Sequence, residues 1–199
     1  MFAMIKIMKK LDSFITELYK YDEADQQRQA AFYFVRDIPY STVNSHSLRD
    51  AIDSNHADCH AKSELLKYLF KAIGYDTQSI IMLYRLRNFP AEVQYIPNQL
   101  DYHYVPQILL NNVWVSVDAT YDPPLASLGF IVNEWDGSTS TVFAEKSLGQ
   151  KVENNINSDF DKKRAEIETS LKGAFLLHAD QIISYQIKFN EWLMSVREV

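Results

Sequence analysis

The sequence has few cysteines, glycines and prolines, and each scarcity excludes a class of protein. Its 199 residues include one cysteine, five glycines and six prolines. A single cysteine rules out an intramolecular disulfide and favours a reducing compartment, so we expect a cytoplasmic protein. The low glycine and proline content argues against disordered and collagen-like chains. The chain is 47% hydrophobic, which is enough for one globular domain with a substantial core.

The sequence also lacks an excess of basic residues and any long hydrophobic run. Its 20 basic residues are outnumbered by 26 acidic ones, giving a net charge of −6. This balance provides no electrostatic footprint for nucleic acid. No apolar run approaches the length of a transmembrane helix, and Lys6, Lys9 and Lys10 interrupt the apolar N-terminal stretch. We therefore expect neither a nucleic-acid partner nor a membrane partner.

The single cysteine begins a strongly apolar helix, which the spacing predicts over residues 59–73. Asp58 suits the N-cap, and Gly74 suits the left-handed residue after the last turn. Apolar side chains cover most of the circumference, which indicates a central, buried helix. Free N–H groups and the helix dipole favour a thiolate at Cys59, although Asp58 acts against it. Cys59 is therefore either a nucleophile or a small apolar core residue.

Residues 101–121 predict two strands joined by a two-residue turn at residues 111–112. This register makes His103 a diagonal neighbour of Asp118 and places both side chains on one face of the sheet. Pro106 cannot donate a hydrogen bond to the ladder, and a bulge at this position would shift the register. The pattern thus places an imidazole beside a carboxylate near the open end of a hairpin.

The remaining segments complete an α+β prediction, with helices before and after a sheet. Before the sheet we expect helices over residues 3–20, 23–37 and 47–52. Further along we expect a strand at 78–86, a long loop at 88–101, a hairpin turning at Asp136-Gly137, a polar loop at 145–157, and a helix from 159 that Ser158 caps and Gly173 divides. We expect a single domain over 1–199, with an N-terminal helix at 1–20, a core at about 23–145 and a helical C-terminal extension at 158–198.

Cys59, His103 and Asp118 together have the composition of a thiol catalytic triad. In such a triad the cysteine attacks an acyl carbon, and the histidine accepts its proton and later protonates the leaving amine. The aspartate fixes the histidine tautomer and supports the imidazolium. Backbone N–H groups at the start of the cysteine helix could supply part of an oxyanion hole.

Four segments of the chain resemble the transglutaminase-like superfamily of papain-type thiol enzymes, in the order found in that family. They are AFYFVRDIPY at 31–40, DCHAKSELL at 58–66, YHYV at 102–105 and WVSVDATYD at 114–122. Two features depart from the family and its relatives. Ala57 replaces the usual glycine, and the Arg-Gly-Gly run of the related arylamine acetyltransferases is absent, which argues against acetyl-CoA as donor.

The resemblance implies a papain-like core in which the cysteine helix packs on an antiparallel sheet. It also implies thiol-mediated acyl transfer on a peptide or protein amide, through a thioester at Cys59 and with no cofactor or metal. Tyr40 is the candidate side-chain donor to the oxyanion. We expect hydrolysis by a cysteine protease or amidase, because water is in large excess. Transglutaminase-type cross-linking or other acyl transfer to an amine is the alternative.

Other interpretations of the same residues remain open at this point. The chain could be a non-catalytic binding or scaffold protein, since a fold does not fix a function. The spacing of His56, Cys59 and His60 would also suit a zinc site completed by His103. Asp122 is expected to act in a turn before two prolines. Tyr102, Tyr104 and Trp114 could line a substrate groove or simply pack on the hairpin.

Overall fold

The computed structural model describes residues 11–43, 47–87, 89–90, 93, 100–155 and 157–197. Its helices are α1 (11–18), α2 (Ala24–Arg36), α3 (Leu48–Asp53), α4 (Cys59–Ala72) and α5 (Ser158–Met194). Its strands are β1 (Thr77–Arg85), β2 (Leu100–Leu110), β3 (Val113–Ser116) and β4 (Ser147–Val152), and a 3₁₀ helix spans Pro123–Leu128. The α+β prediction is confirmed, and the cysteine-bearing helix α4 packs on the antiparallel sheet as predicted.

Helix α4 begins and ends where the sequence predicts. The Asp58 side chain accepts a hydrogen bond from the backbone N–H of Ala61 at 2.8 Å, which caps the first turn. Gly74 follows the last turn with a φ of +93°, a conformation that favours glycine. The helix packs against β2, α2 and α3. Its most deeply buried apolar side chains are Ala61, Leu65, Leu66, Leu69 and Phe70.

The four strands form one antiparallel sheet in the order β3-β2-β1-β4. Asn111 and Asn112 both have positive φ angles, 51° and 64°, as a two-residue hairpin turn between β2 and β3 requires. Leu110 therefore pairs with Val113, which is the predicted register. The turn therefore fixes which residues of β2 and β3 lie opposite each other.

Pro106 causes no bulge, and β2 runs unbroken through it. Its carbonyl accepts a hydrogen bond from the backbone N–H of Val117 at 2.9 Å, on the side of β2 that faces β3. The missing proline N–H falls on this same edge, where the ladder to β3 ends. No hydrogen bond to β1 is lost, so the proline is tolerated within the strand.

Two predictions after the first hairpin are wrong. Residues 145–157 are not a polar loop, because β4 forms there and pairs with the free edge of β1. Residues 130–143 turn at Asp136-Gly137 as predicted, but they form no strands. Instead, Asp136 accepts the backbone N–H groups of Ser138 and Thr139, and Thr141 donates its N–H to the Ser116 carbonyl. These contacts satisfy backbone groups that a second hairpin would have paired.

Helix α5 is continuous over 37 residues, so Gly173 does not divide it. Its N-cap is Asn157 rather than Ser158, because the Asn157 side chain accepts the N–H of Phe160 at 3.1 Å. Near its start, Phe160 packs on the sheet against Ile81 and Leu83. Near its end, Phe189 and Leu193 of the helix pack in a second apolar cluster with Tyr40, Tyr121 and Phe130.

Parts of the predicted elements lie outside the described residues. Residues 1–10 of the predicted N-terminal helix are among them; the described part of that prediction is α1, in which Leu11 and Leu18 are buried. Most of the predicted loop at 88–101 is also outside the description. Among the helices that are described, none has an apolar stretch long enough to cross a bilayer.

Candidate active site

Cys59 is the first residue of α4 and lies at the outer edge of β2. Because β3 pairs only with residues 107–110 of that strand, the backbone groups of Tyr102 and Tyr104 on this edge are left for other partners. The Cys59 thiol donates to the Tyr102 carbonyl with an Sγ–O distance of 3.8 Å. The backbone N–H of Tyr104 bonds to the same sulfur and acts to lower its pKa. The partly buried thiol thus occupies the place that a neighbouring strand would take.

His103 and Asp118 form a buried hydrogen-bonded pair. His103 Nε2 lies 2.7 Å from Asp118 Oδ2, and each residue is only 1% exposed. They are the diagonal neighbours that the hairpin register predicts, although the ladder itself ends at Gln107 and Ser116. Since Nε2 binds the carboxylate, Nδ1 is the ring nitrogen left for the thiol of Cys59. The structure therefore brings together all three residues of the predicted triad.

Asp118 is held in place by backbone groups from two segments. Its Oδ2 also accepts the N–H of Ala144 at 2.8 Å, and its Oδ1 accepts the N–H of Thr120 at 3.2 Å. The Asp118 backbone is fixed as well, because its carbonyl accepts from the Asn133 side chain and its N–H donates to Thr141 Oγ1. These bonds leave the carboxylate oriented towards His103.

Burial and local charge set the protonation of the three groups as a unit. Burial acts to raise the pKa of Asp118, but the charge and hydrogen bond of His103, followed by the bonds from Ala144 and Thr120, lower it overall. Burial acts to lower the pKa of His103, but Asp118 and then Cys59 raise it well above its usual value. Burial raises the pKa of the Cys59 thiol, while the hydrogen bond and charge of His103 act to lower it. His103 and the backbone N–H of Tyr104 thus both favour the Cys59 thiolate, while burial and the charge of Asp58 oppose it.

A cavity of about 350 Å³ opens beside Cys59 and is large enough for part of a small ligand. Its walls come from the extended segment after α2, the start of α4, the adjacent ends of β1 and β2, and α5. The described residues that line it are Tyr40, Thr42, Asp58, Cys59, His60, Tyr84, Asp101, Tyr102, Tyr104 and Gln186. Tyr102 and Tyr104 therefore line the cavity, which is the first of the two roles considered for them. Trp114 does not line it and is partly exposed on the hairpin.

Tyr40, the candidate oxyanion donor, lies in this cavity. Its hydroxyl makes no hydrogen bond with the described residues. Burial, followed by the nearby charges of Cys59 and Asp58, raises the pKa of Tyr40 well above its usual value. The hydroxyl consequently stays protonated. The backbone next to it is fixed, since Tyr40 forms a parallel bridge with Ala57, two residues before the cysteine.

Asp122 lies in the turn before the two prolines, where its carbonyl accepts the N–H of Leu125, but its side chain has other partners. Its side chain, which is almost fully buried, accepts two hydrogen bonds from the Arg197 guanidinium and one from the backbone N–H of Tyr40. Its carboxylate gives no side-chain cap to the following 3₁₀ helix. Asp122 instead connects the end of α5 to the segment that carries Tyr40.

The histidines considered for zinc have different partners in the structure. His56 Nδ1 lies 2.9 Å from the Ser54 carbonyl, and the His60 ring packs edge-on against Tyr104 at 4.6 Å. Within the described ranges, no three or more His, Cys, Asp or Glu residues are grouped to hold a metal ion. His46 lies outside those ranges, as does the side chain of His178.

Sequence reasoning did not identify several residues of this region. Asp101 and Tyr84 face the cavity from neighbouring strands, where they form an opposed pair. Lys62 lies one turn after Cys59 and is buried, and its ammonium donates to the Arg36 carbonyl at 2.9 Å. Burial lowers the pKa of Lys62 to about 7. The sequence predicted that Tyr84 lies in a strand, but it gave no indication that Asp101 and Lys62 belong to this region. Their positions depend on how distant segments pack.

No protein-family model and no curated protein matches this sequence. Among solved structures, the chain is similar to a TGase, with a TM-score of 0.43 and 15% identity over 59% of this chain and 32% of that one. It is also similar to a candidate cysteine protease from Cytophaga hutchinsonii, with a TM-score of 0.41 and 17% identity over 73% of this chain and 52% of the other. The chain thus spans about one third and one half of the lengths of these two proteins.

Proposed function

We propose that this protein is a thiol-dependent acyl-transfer enzyme that hydrolyses an amide bond through a thioester on Cys59. The observation that carries the proposal is the buried pair of His103 and Asp118, joined at 2.7 Å and close enough to hydrogen-bond Cys59. A core cysteine with no chemical role would need neither an oriented imidazole nor a carboxylate behind it. A cavity of about 350 Å³ beside the thiol gives a substrate access to it.

In the proposed reaction, His103 accepts the thiol proton and the Cys59 sulfur attacks the acyl carbon. The tetrahedral oxyanion is stabilised by the Tyr40 hydroxyl and the N–H groups at the start of α4. As the carbon–nitrogen bond breaks, His103 gives the proton to the departing amine. His103 then deprotonates a water molecule, which attacks the thioester, and the acid leaves as the proton returns to the thiol. Asp118 supports the imidazolium in both halves of the cycle.

The sequence has a single cysteine and so no intramolecular disulfide, which is typical of reducing compartments, and we therefore propose that the protein acts in the cytoplasm. Its substrate would be a peptide or protein amide.

Acylation of the purified protein by p-nitrophenyl acetate tests this proposal without a known substrate. Intact-mass spectrometry should show one acetyl group, peptide mapping should place it on Cys59, and hydroxylamine should remove it. The Cys59→Ala variant should remain unmodified while keeping its circular dichroism spectrum. A wild-type protein that is never acylated, or an equal burst of p-nitrophenol from Cys59→Ala, would remove Cys59 from the mechanism.

A further inference from the structure

Asp101 presents a half-buried carboxylate to the cavity that contains Cys59. It lies near the start of β2, two residues before His103, so both side chains are on the same face of the strand. Asp101 Oδ1 accepts the backbone N–H of Tyr102 at 2.7 Å. In the described part of the chain, no lysine or arginine forms an ion pair with Asp101.

An ionised carboxylate in this position loses hydration without gaining a counter-ion among the described residues. Burial raises the pKa of Asp101 to about 6, although the N–H of Tyr102 and the charge of His103 act to lower it. The group is therefore still mostly ionised at neutral pH. Buried charges in proteins are usually paired, and a strongly shifted carboxyl in a cleft is typical of a binding site.

The rest of the cavity has the same preference for positive charge. None of its described lining residues is a lysine or arginine, and Asp58, the N-cap of α4, is a second carboxylate. The ring of Tyr102 already has a cation, because the Arg164 guanidinium lies 5.5 Å from its centroid, but no such contact occupies the ring of Tyr84 in the described part of the chain. Tyr84 pairs with Asp101 across the two strands, and its hydroxyl has no hydrogen-bond partner among the described residues. Aromatic ring faces attract ammonium groups, most strongly where water is excluded. A carboxylate beside tyrosine rings is therefore suited to a substituted ammonium ion and disfavours an anion.

We propose that Asp101, with the ring of Tyr84, binds an ammonium group of the substrate next to the amide that Cys59 attacks. Asp101 is in this account a specificity residue, and the substrate is a cationic molecule with a protonated or quaternary ammonium close to its scissile bond. The inference deepens the proposed function and rests on it for the reaction. Binding of the cation by Asp101 and Tyr84 does not require that Cys59 react.

Ligand-observed NMR with choline and its uncharged isostere 3,3-dimethylbutan-1-ol tests the binding directly. Wild-type protein should bind choline, with weaker or no binding of the alcohol. In Asp101→Asn the choline affinity should fall about tenfold or more, since one ion pair in a partly buried site is lost. Asp159→Asn removes an equal charge at an exposed position and should leave binding unchanged. Equal binding of the two probes by the wild type, or unchanged choline binding by Asp101→Asn, would overturn the proposal.

A second measurement uses the charge dependence of Cys59 modification. At pH 8 the trimethylammonium-ethyl methanethiosulfonate reagent should react faster, relative to the sulfonatoethyl reagent, in the wild type than in Asp101→Asn or Asp101→Ser. Both variants keep an acceptor for the Tyr102 N–H, so folding should be preserved. A ratio that is the same in all three proteins contradicts the role of Asp101. Choline binding without a dependence of thiol reactivity on His103 would instead reject the proposed chemistry and keep the cation site.

Discussion

Arg197 and Asp122 form a two-point ion pair that connects the end of α5 to the candidate active site. Arg197 Nε lies 2.8 Å from Asp122 Oδ2, and Nη2 lies 2.7 Å from Oδ1. The same Nη2 donates to the Tyr40 carbonyl at 3.1 Å, while Asp122 accepts the Tyr40 N–H at 2.8 Å. The pair therefore fixes both backbone groups of the residue that we propose as oxyanion donor.

Arg197→Met should destabilise the protein by roughly 3 kcal/mol, because it leaves the buried Asp122 carboxylate without its counter-ion. The free energy of unfolding from urea titration measures this loss. The double variant Arg197→Met/Asp122→Asn should recover part of it, since no unpaired charge remains. Equal losses in the single and double variants would mean that the ion pair contributes little and that only packing of the arginine stem matters.

Tyr40→Phe should slow acylation of Cys59 by about tenfold to a hundredfold, because one donor to the oxyanion is lost. The burst rate with p-nitrophenyl acetate measures it. Tyr84→Phe is the matched control, since Tyr84 lines the same cavity and its hydroxyl is also unpaired in the described residues. If the two variants are slowed equally, the assignment of the oxyanion donor to Tyr40 fails.

Asp118→Asn should cut the acylation rate by about two to four orders of magnitude while the fold is kept, because the amide cannot support the imidazolium. The pKa of His103, followed by NMR, should fall at the same time, since Asp118 is the main group that raises it. An unchanged rate with a lowered pKa would show that the carboxylate is structural.

Lys62 gives a prediction for the pH dependence of stability. Its pKa falls from 10.5 to about 7 on folding, so the unfolded chain binds more protons between these values. Its contribution to the free energy of unfolding must therefore rise with pH across this window. Lys62→Met removes the contribution and should be more stable than the wild type at pH 6, by about 3 kcal/mol. The advantage should shrink towards pH 10, and a pH-independent difference would contradict the buried ammonium.

The sequence predicted the central part of the site because local rules control it. Two asparagines that adopt positive φ set the hairpin register, and alternation along two short strands then brings His103 to Asp118. The N-cap and the apolar circumference likewise define the helix that begins at Cys59. These features depend on neighbours in sequence or on one tight turn.

Other features could not be predicted because they depend on distant packing. Strand β4 is a short edge strand with little apolar alternation, so its pairing with β1 leaves no clear pattern in the sequence. The backbone N–H of Ala144 bonds to Asp118, and a backbone donor has no sequence signature. Asp122 and Arg197 are 75 residues apart, and nothing local indicates that they meet.

In the proposed mechanism, Cys59 and His103 act as one proton-sharing pair. The pH dependence of Cys59 alkylation by iodoacetamide, in the folded wild type and in His103→Ala, tests it most directly. In the proposed mechanism the thiol proton moves to His103 rather than to solvent. Alkylation should therefore persist well below the pKa of an ordinary thiol, about 8.5, against the effect of burial, and should be lost in the variant. Slow alkylation that appears only on unfolding, or that is equal in both proteins, would show Cys59 to be an inert core residue.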